Sequence, residues 1–472
     1  MEPVRKFPNL ILPAFSWEEH THSNLDPREI LTDFGAPNKG EVMSALTKPL
    51  KRRSGLRLVT VFAVAASMAT VGIGTVPANA ASATKYITVG GMFPFTGSKS
   101  LLGTWGSTGV KTGIWEVNNN GGVLGKMLKP SFVDDAADAV DALPAFRKLM
   151  LNKPTFIVGP FSPTIEAVQS QFKPNNVVDF MIGGLTTLDT NANPWLFRTS
   201  SSDSNEAIAM AYYAKSKGYK SASLIFDNSD NSQGFIPPLK AALKALGITV
   251  LDNETLVPGQ SSYSSELTNA FANNPAVVFD SMDATTAATL FSSAQSLGYT
   301  KSAVWIGDDL QSAAQGSYEK SFGSTAPTNL VAALPTALGA TNPAYNEYLR
   351  ADIAANKITT PYPTNQNAYD SIVIASLAMT MANSTDPKVW VKDVKAVATP
   401  PGVQCTTYAA CVVLLKKHKE IDYQGAAGDD NFNQYNNVFS GFDMEGFDAS
   451  GNNVLAAYVT SANLASVVSL EK

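Results

Sequence analysis

The chain is 472 residues long and slightly acidic, with 35 Lys and Arg against 40 Asp and Glu and a formal net charge of −5; it has room for two or three domains and lacks the basic excess of a nucleic-acid binder. Nine of those basic residues and seven of those acidic ones fall within residues 1–80, so the remainder carries −7. The only histidines are His20, His22 and His418. Beyond residue 80 a single imidazole is left, set among lysines in "LKKHKE" as a solvated residue, which argues against a Ser-His-Asp triad or a His-based metal site.

Residues 1–42 show no periodicity and no readable fold. From Met43 a basic segment with Lys48, Lys51, Arg52, Arg53 and Arg57 leads into an apolar stretch from Leu58 to about Gly74, and then to Ala78-Asn79-Ala80. That is the three-part layout of an export signal, so Met43 is the expected start of the exported product and Ala81 its expected mature N-terminus. Residues 1–42 are then an untranslated or disordered upstream segment. The apolar part is short and rich in Ala and Gly for a spanning helix, with a retained anchor as the alternative. No cysteine follows the small-residue site, so no lipid anchor is expected.

Beyond residue 80, short apolar runs alternate with helical patterns. "YITVGGM" (86–92) precedes a helix expected over about Thr104–Asn119 and ended by "NNNGG"; "KPSFVDD" precedes one near Asp138–Met150; "TFIVGP" precedes one near Ile165–Lys173; and "VVDFMIGG" runs into a loop. The alternation restarts after Arg198, with a helix near Glu206–Lys217 and the runs "SASLIFD", "GITVLDNE", "AVVFDSM" and "SAVWIGDD". Helices follow near Pro343–Asn356 and Ala368–Ala382, then a late strand pattern, "NVLAAYVT". Apolar strands alternating with helices of this length predict parallel sheets covered on both faces. Two such series predict two α/β lobes joined by several crossings around a cleft, with ligands bound outside the carboxyl ends of the strands.

The glycine-rich stretch "GGMFPFTGSKSLLGTWG" does not spell a phosphate loop. Ser98 separates Gly97 from Lys99, Pro94 removes a backbone donor, and Gly103, Gly106 and Gly109 stand three apart, against the dinucleotide pattern. Cys405 and Cys411 are the only cysteines, and an even count in an exported chain reads as a disulfide closing a short loop. No metal site or cofactor is expected.

The pieces "GGMFPFTGSKSLLG", "VNNNGGVLGK", "FVDDAADAVDA", "FIVGPFSP", "AQSLGYTKSAVWIGDD", "AYDSIVIASLAM" and "GVQCTTYAACVVLLKKHKEIDYQGAAG", in this order, resemble the type I periplasmic solute-binding proteins of branched-chain and polar amino-acid ABC importers. The resemblance implies two Rossmann-like lobes, about 84–200 plus 331–437 and about 201–330 plus 438–472, closing by hinge motion on a solute. It implies no enzymatic activity, a membrane permease as partner, and a monomer. By the same resemblance, the wall residue after the first strand falls at Leu102 or Trp105. The solute's carboxylate falls to Ser162 and Thr164 in "GPFSPT" and to Leu185 and Thr187 in "GGLTT", and the second lobe contributes Asn231, Asp283 and Asp309, the last pairing with an ammonium, with Asp308 its neighbour. Each hydroxyl or carboxylate also has an ordinary role open to it: a helix cap for Ser162, Thr164 and Asp283, a loop threonine for Thr187, a turn aspartate for Asp309. Where the resemblance places aromatics, this chain has Asn231 and Asp283, so the implied solute is more polar or more cationic than leucine. A ligand-presenting sensory protein, or a secreted hydrolase working through an aspartate pair, are the rival readings.

Overall fold

The computed structural model describes residues 85–309, 320–335, 342–359 and 361–470. The export-signal segment and the stretch before it lie outside the described residues. The first lobe is built on a five-stranded parallel sheet of order β2-β1-β3-β4-β5, from strands β1 (Tyr86–Phe93), β2 (Met127–Asp134), β3 (Phe156–Val158), β4 (Val178–Met181) and β5 (Leu196–Arg198). Three of its helices are α1 (Ser100–Asn119), α2 (Ala139–Met150) and α3 (Ser162–Val168). The helix Asn365–Met381, buried along nearly its whole length, packs against α1 and completes this core.

The glycines that fail as a phosphate loop are packing residues. A Cβ at Gly106 would lie 2.5 Å from Phe93 Cε1, and one at Gly113 would lie 2.6 Å from Ile372 Cβ. Bare backbone at such positions lets α1 approach both the sheet and its partner helix, which a side chain would hold apart.

The second lobe has a seven-stranded sheet of order β15-β14-β10-β9-β8-β6-β7. Its parallel members are β6 (Ser221–Asp227), β7 (Thr249–Leu256), β8 (Val277–Ser281), β9 (Val304–Gly307) and β10 (Leu330–Leu334), and an antiparallel pair, β14 (Phe442–Phe447) and β15 (Asn453–Val459), forms one edge. Helices α4 (Asp203–Ser216) and α5 (Asp230–Ala245) cover one face, and α6 (Ser264–Phe271) and α7 (Ala284–Leu297) the other, so each face has its own apolar core. β10 pairs with β9 and β14, so the chain leaves the second lobe after Leu334, not at the expected residue 331. The apolar run "LVAAL" is completely buried there, as a central strand requires.

The crossings between the lobes are tied to one another. The Arg198 N–H donates to Asn436 O at 2.9 Å and the Val438 N–H to Arg198 O at 3.1 Å. Ser440 N–H donates to Ser201 Oγ at 3.0 Å, and Asn367 Nδ2 donates to both Thr199 O and Pro335 O. Short polar side chains thus satisfy the buried backbone of the hinge without filling the cleft beside it.

A small third sheet of β11 (Val403–Cys405), β12 (Ile421–Gly425) and β13 (Gly428–Asp429) lies in the late segment, where Cys405 and Cys411 form the expected disulfide. The bond anchors β11 to the following helix, Tyr408–Lys416. Because the closed loop is short, loop-closure entropy predicts that Cys405→Ser with Cys411→Ser lowers stability by about 2 kcal/mol. Denaturant unfolding of the double variant tests this, and a change below about 0.5 kcal/mol would show that the native fold already constrains the loop. His418 is exposed, as read from the sequence.

Candidate functional site

Between the carboxyl ends of the two sheets lies a cavity with one wall from each lobe. The first lobe contributes Lys99 and Leu102 from the start of α1, Phe161 and Ser162 from the start of α3, and Ile182, Gly183 and Gly184 from the end of β4. The second contributes Asp203 and Glu206 from the first turn of α4, Asn231 from the first turn of α5, and Asp309 after β9. Ser200, Ser201 and Pro335, from the crossings, and Pro163 complete the lining.

The two walls differ in hydrogen-bonding character. On the first-lobe wall, Ser162 opens α3 with its hydroxyl and backbone N–H, while Pro163 has no N–H and the Thr164 N–H donates to Phe161 O at 3.2 Å. Gly183 keeps Ser162 clear: a Cβ there would lie 2.8 Å from both Ser162 N and Ser162 Oγ. Lys99 lines the same wall, which among the described residues therefore carries donor side chains and no carboxylate.

The second-lobe wall is made of acceptors. Ser202 caps α4, and Asp203 and Glu206 follow in its first turn, where the helix dipole favours negative charge and the spacing of three puts both carboxyls on one face. Asp203 is 7% exposed and its Oδ2 has no hydrogen-bond partner. Glu206 is 2% exposed and its Oε1 accepts the Asp309 N–H at 3.1 Å. Burial, followed by the charge of Asp309, pushes both carboxyls well above the usual range. Asn231 Oδ1 is buried without a partner. Asp308 lies just behind, its carboxylate accepting from Ser281 Oγ.

Arg198 is the buried cation closest in chain to this wall, and it has other work. Its Nη1 donates to Gly184 O and Leu185 O at 3.2 and 2.9 Å, and its Nη2 pairs with Asp189 at 2.7 Å. The guanidinium thereby fixes the Gly-Gly-Leu loop that carries the first-lobe wall.

Of the residues named from the sequence, the fold brings Leu102, Ser162, Asn231 and Asp309 to one cavity and leaves the others off its lining. Thr164 is buried and donates to Asp135 Oδ2 at 2.8 Å, holding α3 to the end of β2. Leu185 is buried, with its carbonyl on Arg198. Thr187 is exposed and donates to Glu166. Asp283 caps α7, accepting from Thr285 N–H at 2.8 Å and Thr286 N–H at 3.1 Å. Trp105 and Asp283 line an adjoining hollow that shares Lys99 and Leu102 with the main cavity. Asp203 and Glu206 were missed, because "SSSDSNE" reads as an ordinary helix start. The signal that points to them is position: this helix starts directly after the last strand of the first sheet, at the carboxyl end where ligands bind.

The comparisons with known proteins identify the family and the fold. Residues 86–403 match the family model described as periplasmic binding protein. The chain belongs to the periplasmic binding protein family. This periplasmic binding protein is 27% identical over 196 residues to the Leu/Ile/Val-binding protein BraC3 of Rhizobium johnstonii, a match covering 41% of this chain and 53% of that one. It is 26% identical over 196 residues to Leu/Ile/Val-binding protein homolog 3 of Brucella melitensis. The chain thus spans about half the length of the curated relatives it matches. Its fold is that of LivJ from Streptococcus pneumoniae, solved with isoleucine (TM-score 0.65, 18% identity, 80% of this chain and 99% of that one). It is also that of an ABC-transporter solute-binding protein from R. palustris solved with benzoate (TM-score 0.64, 15% identity, 79% of this chain and 96% of that one). No helix among the described residues is long and apolar enough to cross a membrane.

Proposed function

We propose that this periplasmic binding protein captures a small amino-acid-like solute outside the cytoplasm and delivers it to the permease of an ABC importer. The observation that carries the reading is the polarity of the cleft. One wall offers hydroxyl, backbone N–H and ammonium donors, and the other offers carboxylates, which suits a zwitterion lying across the gap with its carboxylate on the first lobe and its ammonium on the second. In this reading Ser162 holds the carboxylate, Asp309 the ammonium and Leu102 the carbon chain. Closure of the lobes about the hydrogen-bonded crossings presents a joint surface to the permease.

A thermal-shift screen of amino acids, amides and small carboxylates on residues 81–472 tests the reading, because a ligand at a hundred times its Kd stabilises by about 2.7 kcal/mol. An ion pair near a protein surface is worth on the order of 4 kcal/mol before desolvation is subtracted. Asp309→Asn is therefore expected to weaken binding of the screened amino acid by roughly 2 kcal/mol, or about thirtyfold, read by calorimetry. Unchanged affinity in that variant overturns the assigned role of Asp309.

A further inference from the structure

The second-lobe wall carries more carboxyl groups than one ammonium can contact. Asp203, Glu206 and Asp309 all line the cavity, with Asp308 behind them. Among the described residues, Lys99 lines the opposite wall, and Arg198 lowers the cost of charge on Asp203 only in part, its Nη1 and Nη2 being held by two carbonyls and Asp189. A buried carboxylate without a compensating charge or donor is costly, so the wall needs either bound protons or a cation from outside. Two acceptors mark where the compensation is missing. Asp203 Oδ2, more than nine-tenths buried, and Asn231 Oδ1 have no hydrogen-bond partner.

Resting on the amino-acid reading above, we propose that the solute carries a second cationic, N–H-rich group, an amino or guanidino side chain, that seats on Asp203, Glu206 and Asn231 while Asp309 takes the α-ammonium. The neutral acceptor beside two carboxyls suits a group with several N–H donors, and the first turn of α4 fixes both carboxyls on one helix face. Leu102 on the opposite wall contacts the methylenes that join the two ends of such a solute.

Calorimetry at pH 7 with L-lysine, L-arginine and L-norleucine on residues 81–472 tests the proposal, since norleucine keeps the α-amino acid and a similar chain without the second charge. Lysine or arginine is expected to bind at least tenfold more tightly than norleucine. Glu206→Gln and Asp203→Asn, each close to isosteric, are expected to shrink that ratio to about threefold or less. Norleucine binding as tightly as lysine and arginine overturns the proposal and leaves amino-acid capture standing; in that case Lys99 or bound protons neutralise the wall. A ratio that both variants leave intact also overturns it. Binding of benzoate with none of the three amino acids overturns the amino-acid reading itself.

Discussion

Gly184→Ala is expected to weaken solute binding more than a hundredfold while the protein still folds. A Cβ at this position would lie 2.7 Å from Asp203 Cγ and 2.8 Å from the Asp203 backbone nitrogen, with the carboxylate oxygen Oδ1 closer still. Neither a helix backbone nor a buried carboxyl can give way cheaply, so Asp203 and the start of α4 must move off the cavity wall. Gly184 O also accepts from Arg198, so the shift reaches the guanidinium that holds the neighbouring loop. The Gly184 φ angle is not in the left-handed region, so alanine brings no backbone strain of its own. A hundredfold loss corresponds to about 2.7 kcal/mol. Calorimetry with the solute found by screening, paired with thermal unfolding of the variant, checks it. Wild-type affinity would show that Asp203 does not shape the site.

Asp430→Asn is expected to gain stability relative to the wild type as the pH rises from 4.5 to 7.5. Asp370 and Asp430 both crowd Gly425 in the buried floor of the first lobe. Asp370 accepts from Tyr423 Oη at 2.7 Å, Ala426 N–H at 2.9 Å and Ala427 N–H at 2.7 Å, so its ionised form is better supported than that of Asp430. Asp430 Oδ2 has no partner, which makes Asp430 the member that keeps its proton. Burial first, then the charges of Asp370 and Asp429, push Asp430 well above the usual range, and burial lifts Asp370 to about 7.

A carboxyl whose pKa is raised by folding binds more protons in the native state than in the unfolded chain. Its contribution is therefore fully present below about pH 4, the unfolded value, and declines by about 1.4 kcal/mol per pH unit until the native pKa is passed. Asparagine keeps the shape and never ionises, so the difference between variant and wild type should grow across that window. Urea denaturation of both proteins at the two pH values measures it. A difference that does not move with pH would place the proton elsewhere.

The two-lobe α/β architecture was legible in the chain because parallel strands buried on both faces must be apolar throughout, and "SASLIFD", "AVVFDSM" and "LVAAL" carry that mark without tertiary information. The cysteine pair was legible for a similar reason, since two cysteines allow one bond. The donor-bearing start of α3 and the aspartate after β9 were legible as types of residue at the carboxyl ends of strands. What a serine or aspartate does there was not. Thr164 and Ser162 stand two residues apart on the same first turn, yet one is spent on Asp135 and the other faces the cavity. That choice depends on where the end of β2 lies, which no local pattern states. Asp283 and Asp203 each open a helix of the second lobe, and both fit a cap. Only packing against Gly184 leaves Asp203 on the cavity wall, while Asp283 is satisfied by its own helix. The sequence determines periodicity and burial, because these are local and repeated. The tertiary structure decides which polar groups are left without partners, because that depends on atoms brought together from both lobes.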